Sequence, residues 1–359
     1  MENNHISRVA IVGATGSLGS SVLTALLAQS EPLFSVTVIT RPGSITPSSH
    51  KSLVNHPRIT IKEGSYSDPE FLASVLEGQD AVVLTLSFNV SHELQPDIIR
   101  AACKAKVSYI IPNEFGSDTG NPALIEAIPM HQAKVDARKL VGELGVDEHG
   151  NRTSSWIGII NNPWYDWSLP DGYLGIHPKT REVTFFDKGD LRVYMSTIEL
   201  SGKATARVLS LPLHADAGTQ RTLPSYANKF VYVRGFEVSQ RDILESVQRA
   251  TNTTDKDWKF HSSSAKEHID DGHKMLAQGN MAGIMNLIFG NTFIPGIGAD
   301  YRGAPLDNVA LGLDGVEGLD KVTATTLQVA LGAGLDALGL AHEQTLGERA
   351  MKLRYSITL

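Results

Sequence analysis

Hydrophobic and polar positions alternate in blocks along the first half of the chain. Short, continuous apolar runs rich in valine and isoleucine lie at residues 8–12, 35–40, 59–62, 80–86, 107–111 and 155–160. Such runs are typical of parallel strands that are buried on both faces. Stretches with helical spacing lie between them, at residues 17–29, 68–77, 96–105 and 129–144. This rhythm predicts an α/β fold with a doubly wound parallel sheet.

The pattern continues more loosely in the second half. It predicts a helix at 198–209, a strand at 230–233 and a helix at 239–250, followed by a glycine- and proline-rich stretch at 290–312 and an apolar helix at 324–340. We expect one nucleotide-binding domain formed by residues 1–165 together with 190–235. Residues 166–189 and 236–359 are expected to form a smaller α/β lobe that binds the substrate.

Composition narrows the class of protein. The chain has 359 residues and a net charge of -7, which argues against nucleic acid or an anionic membrane as the main partner. Cys103 is the only cysteine, so no internal disulfide can form, and its apolar surroundings predict a buried thiol. The N-terminus is short and polar, and no window approaches the roughly 20 apolar residues of a membrane span. A cytoplasmic protein, monomeric or homodimeric, is the expectation.

A glycine run directly follows the first predicted strand and opens the first helix. Gly13, Gly16 and Gly19 recur every third residue in GATGSLG, so the chain can turn tightly, approach a pyrophosphate and pack its helix on the strand. The helix N-terminus offers N–H groups and a positive dipole end to the anion. This predicts a Rossmann-type dinucleotide site, with contacts also from Thr15, Ser17 and Leu18.

The end of the second strand indicates which dinucleotide binds. NAD enzymes usually place a carboxylate there for the ribose 2′-hydroxyl, but this chain has Arg41. A guanidinium can hold a 2′-phosphate with two charge-assisted hydrogen bonds. The sequence therefore predicts NADPH/NADP+ as the cofactor.

Candidate chemistry follows the fifth strand, at the sheet edge where such folds bind ligands. The segment IPNEFGSD spans residues 111–118, and Lys134 lies on the next predicted helix within an apolar stripe. Such a lysine either extends towards solvent or binds a partner. Four residues before it, where main-type short-chain dehydrogenases have a catalytic tyrosine, stands Met130, and His131 is turned about 100° away. Tyrosine–lysine catalysis of that type is not supported.

Together, GATGSLG, Arg41, PNEFGSD and Lys134 resemble the NmrA-like, isoflavone-reductase-like group of atypical short-chain dehydrogenases. Asn113 stands where the group usually has serine. The resemblance extends over residues 9–141 and more loosely to the strand end at 159–164. It implies NADPH-dependent reduction of an aromatic secondary metabolite, as in phenylcoumaran benzylic ether reductases, with Lys134 as acid, base or electrostatic stabiliser. The group also contains non-catalytic NADP(H) sensors, and pathway isomerases or dehydratases on this fold remain a further alternative.

The nicotinamide end of the cofactor is expected at the carboxyl edge of the sheet. Its neighbours there would be Ser87, Phe88, Asn113, Glu114, Phe115, Lys134 and Asn161. An aromatic loop after the sixth strand contains Trp164 and Tyr165, which line a substrate pocket or pack in the core of the lobe. His131 is a further candidate for substrate contact.

Other residue patterns lack the spacing of a known site. His261, His268 and His273 do not share one helical face, so no metal is expected. His342 and Glu343 begin a zinc-protease-like string but lack its second histidine.

Overall fold

A seven-stranded parallel sheet forms the centre of the molecule. The computed structural model describes residues 4–46, 51–215, 221–298, 300–315 and 317–331. The strands are β1 (Arg8–Val12), β2 (Ser35–Thr40), β3 (Ile59–Glu63), β4 (Ala81–Leu84), β5 (Tyr109–Ile111), β6 (Ser155–Ile160) and β10 (Lys229–Tyr232), in the order β10-β6-β5-β4-β1-β2-β3. Every pair in this sheet is parallel. The predicted Rossmann-type α/β fold is confirmed.

Helices cover both faces of the sheet. On one face lie α1 (Ser17–Leu27) and α8 (Ile198–Leu209), whose leucine and valine side chains share one core with β1, β2 and β6. On the other lie α3 (Pro69–Leu76), α4 (Phe88–Lys104) and α6 (Gln132–Leu144), and Cys103 is buried in this second core. Two short helices lie in connections: α2 (Lys51–Val54) between β2 and β3, and α5 (Pro122–Ala127) between β5 and α6.

Most predicted elements of the sheet domain are confirmed. β2, β6 and α8 match their predicted bounds residue for residue, and Asp68 caps α3 through its side chain as expected. The prediction that the fourth helix begins at Pro96 is wrong, because α4 begins at Phe88 and carries Pro96 in its interior. The helix predicted at 129–144 is a 3₁₀ turn, Pro129–His131, followed by α6.

A smaller lobe packs around its own hydrophobic core. Its strands are β7 (Ile176–His177), β8 (Glu182–Phe186), β9 (Val193–Met195), β11 (Phe236–Val238) and β12 (Lys259–Ser263). They form a β12-β8-β7 sheet and a β11-β9 ribbon. The lobe helices are α7 (Tyr165–Ser168), α9 (Gln240–Thr251), α10 (Ala265–Ala277), α11 (Gly283–Thr292) and α12 (Leu319–Leu331).

The last helix differs from its prediction at its start. It begins five residues before the predicted start at 324, while the predicted part beyond residue 331 lies outside the described residues, as do His342 and Glu343. In the part of the chain that the structure describes, no helix combines the length and apolarity needed to cross a membrane.

Candidate active site

The glycine run lies at the carboxyl end of β1, where it turns directly into α1. Gly13 has φ of +89°, a conformation that favours glycine, and an added Cβ there would lie 2.4 Å from the Thr85 carbonyl oxygen. An added Cβ at Gly19 would lie 2.0 Å from the Gly13 carbonyl oxygen, so α1 packs on the end of β1 at a distance only glycine permits. The Thr85 hydroxyl donates to the Val12 carbonyl at 2.8 Å and joins β1 to the end of β4.

The first turn of α1 presents its backbone at the surface of the loop. No side chain caps this helix among the described residues, whereas Asp68 caps α3 and Thr197 caps α8. Gly16 is the N-cap and its N–H donates to the Gly13 carbonyl at 3.0 Å. Thr15 and Ser17 are half-buried, whereas the Leu18 side chain is buried in the core below. The loop is therefore shaped for an anion that binds backbone groups.

Arg41 follows β2 directly, at the same edge of the sheet. It opens a tight turn in which Ser44 N–H donates to the Arg41 carbonyl at 3.1 Å and Gly43 has φ of +74°. Arg41 is exposed, and no ion pair forms with it among the residues described. Its positive charge nevertheless acts on Tyr66, where it opposes the raised pKa that burial gives the phenol. The guanidinium is thus available to an anion beyond the end of β2.

The segment after β5 is fixed by a buried ion pair that the sequence did not reveal. The Glu114 carboxylate points inward, where it binds the Arg138 guanidinium and accepts the Thr119 hydroxyl at 2.7 Å. Arg138 also stacks on Trp156 and Phe230, at 5.4 and 4.7 Å from their ring centroids. The Glu114 side chain is therefore occupied within the protein, so a contact of Glu114 with the cofactor would have to come from its backbone. The only signal in the sequence for this ion pair was that Arg138 lies one helical turn after Lys134.

Lys134 reaches from α6 to the backbone of this segment. Its ammonium donates to the Glu114 carbonyl, and an added Cβ at Gly116 would lie only 3.8 Å from Nζ. Part of the side chain stays exposed, but the ammonium end lies among protein atoms. Burial therefore lowers the pKa of Lys134, an effect that the nearby Glu114 charge opposes and the Arg138 charge reinforces. The lysine binds a partner at the sheet edge instead of extending into solvent.

The ends of β5 and β6 meet at Gly116. Its carbonyl accepts the N–H groups of Asn161 at 3.2 Å and Asn162 at 2.9 Å. Phe115 and Asn162 have φ values of 27° and 56°, which non-glycine residues seldom adopt. Strained backbone of this kind concentrates at functional sites, and here it lies on both strand ends beside Lys134.

Asparagine side chains fix the neighbouring loops. Asn113 donates from its amide to the Leu86 carbonyl at 3.0 Å, while its N–H donates at 2.7 Å to the side chain of Gln95, a residue not singled out in the sequence. Asn161 is fully buried; its amide donates to Ser201 and its carbonyl accepts the Ser196 hydroxyl at 2.6 Å. Ser87 is exposed at the N-cap of α4, and Phe88 is the first residue of that helix.

Two of the three predicted substrate residues lie on the loop and helix after β6. Trp164 is partly buried, and its Nε1 is buried without a partner in the described part of the chain. Tyr165 is fully buried, and its hydroxyl forms a 2.6 Å hydrogen bond with Thr323 of α12. This corrects the expectation for Tyr165, because its ring belongs to the core of the lobe. Among the described residues no cluster of three His, Cys, Asp or Glu could hold a metal, and His261, His268 and His273 lie on β12 and α10.

Two buried carboxyl groups lie where the lobe meets α8. Asp166 accepts the Ile198 N–H with both oxygens at 3.2 Å, and Glu317 accepts the Thr197 hydroxyl. Burial raises the pKa of Asp166 to about 7 and that of Glu317 to about 8, with the Thr197 hydrogen bond opposing the rise in Glu317. Both groups are therefore held in their neutral form below neutral pH.

The raised pKa values of these two carboxyl groups predict that the free energy of unfolding falls as pH rises. The folded pKa of Glu317 lies above its unfolded value of about 4.3, so the contribution is complete below that value and is lost as pH rises through about 8. We expect Glu317→Gln to match the unmutated protein at pH 5 and to unfold several degrees higher at pH 9. Thermal unfolding between pH 5 and 9 measures this. Glu245→Gln, at an exposed carboxylate, is the control; equal pH profiles for all three proteins would contradict the prediction.

The glycine loop and the segments after β4, β5 and β6 lie at one edge of the sheet. The carboxyl ends of β1, β4, β5 and β6 are adjacent there. Residues 5–151 match the model of the NmrA-like family, and this segment contains the glycine loop, Arg41 and Lys134.

Relatives of this protein align over most of its length. It is 27% identical to the oxidoreductase aprR of Aspergillus flavus over 323 residues, which cover 89% of this chain and 99% of the relative. It is 25% identical to pinoresinol reductase 2 of Arabidopsis thaliana over 68% of this chain and 74% of that one. The structure of leucoanthocyanidin reductase with NADPH from Vitis vinifera superposes with a TM-score of 0.66 at 19% identity, covering 89% of this chain and 98% of that one.

Proposed function

We propose that this protein is an NADPH-dependent oxidoreductase that reduces a small aromatic substrate at the carboxyl edge of its sheet. The observation that carries the proposal is the position of Lys134, whose ammonium binds the backbone after β5. The neighbouring strand β4 leads into Thr85, whose hydroxyl donates to the Val12 carbonyl directly before the glycine loop. In this proposal the sheet domain holds the cofactor and the lobe binds the substrate; β9 (Val193–Met195) and Tyr165 belong to the lobe, because they pack in its core.

The residues at this edge fit a dinucleotide phosphate. The glycine loop packs α1 on β1 at distances that no Cβ would allow, α1 presents an uncapped first turn, and Arg41 offers an exposed guanidinium beyond β2. Ser87, Asn113 and Asn161 would then flank the nicotinamide, with Phe88 at the start of α4 and Phe115 after β5. NADPH, when bound, supplies the hydride. The protein residues bind it, orient it and restrict water.

Lys134 would hold or donate a proton at the substrate oxygen where negative charge develops. Its lowered pKa brings the ammonium closer to the neutral range, which suits a general acid. Its positive charge stabilises an oxyanion even without proton transfer. The ion pair of Glu114 with Arg138 fixes the carbonyl that binds the ammonium, so the charge is positioned before substrate arrives.

An aromatic substrate is supported by the Trp164 indole at the end of β6, and by relatives named for such compounds, among them a pinoresinol reductase and a phenylcoumaran benzylic ether reductase. Trp164 offers a flat apolar surface and a buried N–H without a partner in the described chain.

Arg41→Ala should change the cofactor preference. We expect the KM for NADPH to rise about 10- to 100-fold with no change for NADH, because a charge-assisted pair with the 2′-phosphate is worth roughly 1.5–3 kcal/mol. The measurement is oxidation of each cofactor with a panel of aromatic ketones, quinones and benzylic ethers. Arg100→Ala, at an exposed arginine of α4, is the matched control.

Two outcomes of that measurement would count against the proposal. Equal use of NADPH and NADH by the unmutated protein would contradict the proposed role of Arg41 in selecting NADPH. Binding of NADP+ and NADPH with equal affinity, without oxidation by any member of the panel, would favour a cofactor sensor over an enzyme.

A further inference from the structure

Asp118, in the segment after β5, has a buried carboxylate that binds an arginine of the lobe. Only 1% of the residue is exposed. One of its oxygens accepts the Tyr232 hydroxyl at 3.2 Å and the Gly120 N–H at 3.0 Å, and the other accepts the Arg302 guanidinium at 3.1 Å. Arg302 is the only cation that pairs with Asp118 among the described residues, so this ion pair compensates a buried charge.

Arg302 lies on the loop that follows α11 of the lobe, 184 residues after Asp118. Asn121 reaches the same loop, where its amide donates to the carbonyls of Gly296 at 3.1 Å and Ile297 at 3.2 Å. A small apolar core also joins α5 to α11. The predicted substrate residue His131, of which 4% is exposed, follows this core and directly precedes α6. The chain between β5 and α6 is therefore held against the lobe at three places.

The turn that presents Arg302 has an unusual backbone. Tyr301, Arg302 and Gly303 have φ values of 50°, 52° and 74°, and residues other than glycine seldom adopt such values. A strained conformation of this kind persists only where surrounding contacts hold it. The Tyr301 hydroxyl donates to the Val233 carbonyl at 2.9 Å, and Arg302 binds Asp118. The turn is thus fixed from the side of the sheet.

Asp118 is adjacent in sequence to the groups that hold the Lys134 ammonium. The next residue, Thr119, accepts hydrogen bonds from Arg138 at 2.8 Å on its hydroxyl and at 3.2 Å on its carbonyl. Its hydroxyl donates to the Glu114 carboxylate at 2.7 Å, and the Glu114 carbonyl accepts the Lys134 ammonium. A shift of Asp118 would therefore move the groups that determine where the ammonium lies.

We propose that the ion pair of Asp118 with Arg302 is a latch that positions the Lys134 ammonium for the reaction, by holding the segment after β5 against the substrate lobe. The inference rests on the proposed function. Asp118 and Arg302 are positioning residues, because they act through Lys134 and its carbonyl partner. A substrate bound by the lobe then meets an ammonium whose position is fixed relative to the lobe as well as to the sheet.

Arg302→Met removes the latch and leaves Lys134 unchanged. Reductive methylation of Lys134 in the full-length protein, quantified by mass spectrometry, should be about fivefold faster, because a segment that opens more often exposes the ammonium. Single-turnover reduction should be about tenfold slower, with NADPH affinity within about twofold. Arg302→Lys keeps the charge and should fall between. Arg249→Met, which breaks an exposed ion pair with Asp320 inside the lobe, should behave as the unmutated protein.

A double variant separates positioning from stability. Arg302→Met with Asp118→Asn leaves no uncompensated buried charge, so its unfolding temperature should return towards that of the unmutated protein. Methylation of Lys134 should stay fast, because the latch is still absent. Unchanged methylation or unchanged reduction in Arg302→Met, or methylation that returns to the unmutated rate in the double variant, would overturn the proposal. Methylation needs no turnover, so failure of every variant to oxidise NADPH would count against the proposed enzyme and not against the latch.

Discussion

Lys134→Ala is expected to lower turnover about 10²- to 10⁴-fold while NADPH affinity stays within about threefold. The expectation follows from what the ammonium contacts. It binds the carbonyl of Glu114 at the edge of the sheet, whereas the proposed pyrophosphate site is the backbone around Gly13 and Gly19. Loss of the lysine should therefore remove charge stabilisation at the reacting oxygen and leave the proposed pyrophosphate site intact.

The measurement combines single-turnover reduction with NADPH binding by fluorescence. Lys139→Ala is the matched control, since Lys139 lies on the same helix with an exposed side chain paired to Glu143. Lys134→Arg keeps the charge but not the readily lost proton, so partial activity in that variant would indicate an electrostatic role. A fully active Lys134→Ala protein would refute any role of the lysine in the reaction.

Arg138→Met is expected to be the most destabilising of these substitutions, at roughly 3–5 kcal/mol. It leaves the fully buried Glu114 carboxylate without its cation, and it also removes hydrogen bonds to Thr119 at 2.8 and 3.2 Å. The stacking of the guanidinium on Trp156 and Phe230 is lost as well. Urea unfolding of the purified protein measures the change.

Removal of both partners distinguishes the ion pair from simple packing. Arg138→Met combined with Glu114→Gln should recover a large part of the lost stability, because no uncompensated charge remains. Arg138→Lys keeps the charge but loses the planar guanidinium and should fall between. If the double variant is no more stable than Arg138→Met alone, the stability is lost through packing. The interpretation that the ion pair of Glu114 with Arg138 fixes this segment is then wrong.

The centre of the sheet could be predicted from sequence because β1, β4, β5 and β6 are buried on both faces. β1 and β6 are mostly apolar runs, and their predicted ends agree with the structure. The start of α4 could not be predicted from sequence. Proline is frequent in the first turn of a helix, so Pro96 suggested that the helix begins at that position. Burial of Ile98, Ile99 and Ala102 in the second core offsets the cost of an interior proline.

The glycine spacing predicted a tight turn from β1 into α1, and only glycine permits the close approaches seen there at Gly13 and Gly19. The side chains that support the candidate site were not predicted. Arg138 and Gln95 were not singled out, because their partners lie 24 and 18 residues away in sequence and no local pattern reports such a pairing. The lobe strands β7 and β9 have two and three residues, too few to show a period.

The path of β10 has a practical consequence for protein engineering. The chain leaves the central sheet after β6, forms β7 to β9 in the lobe, and returns to add β10 alongside β6. A fragment ending at residue 165 would therefore lose α8, the partner of α1, and would expose β6 as an open edge that favours aggregation. Fusions and insertions are better placed in the exposed turn at 148–152, which precedes β6 and interrupts neither core.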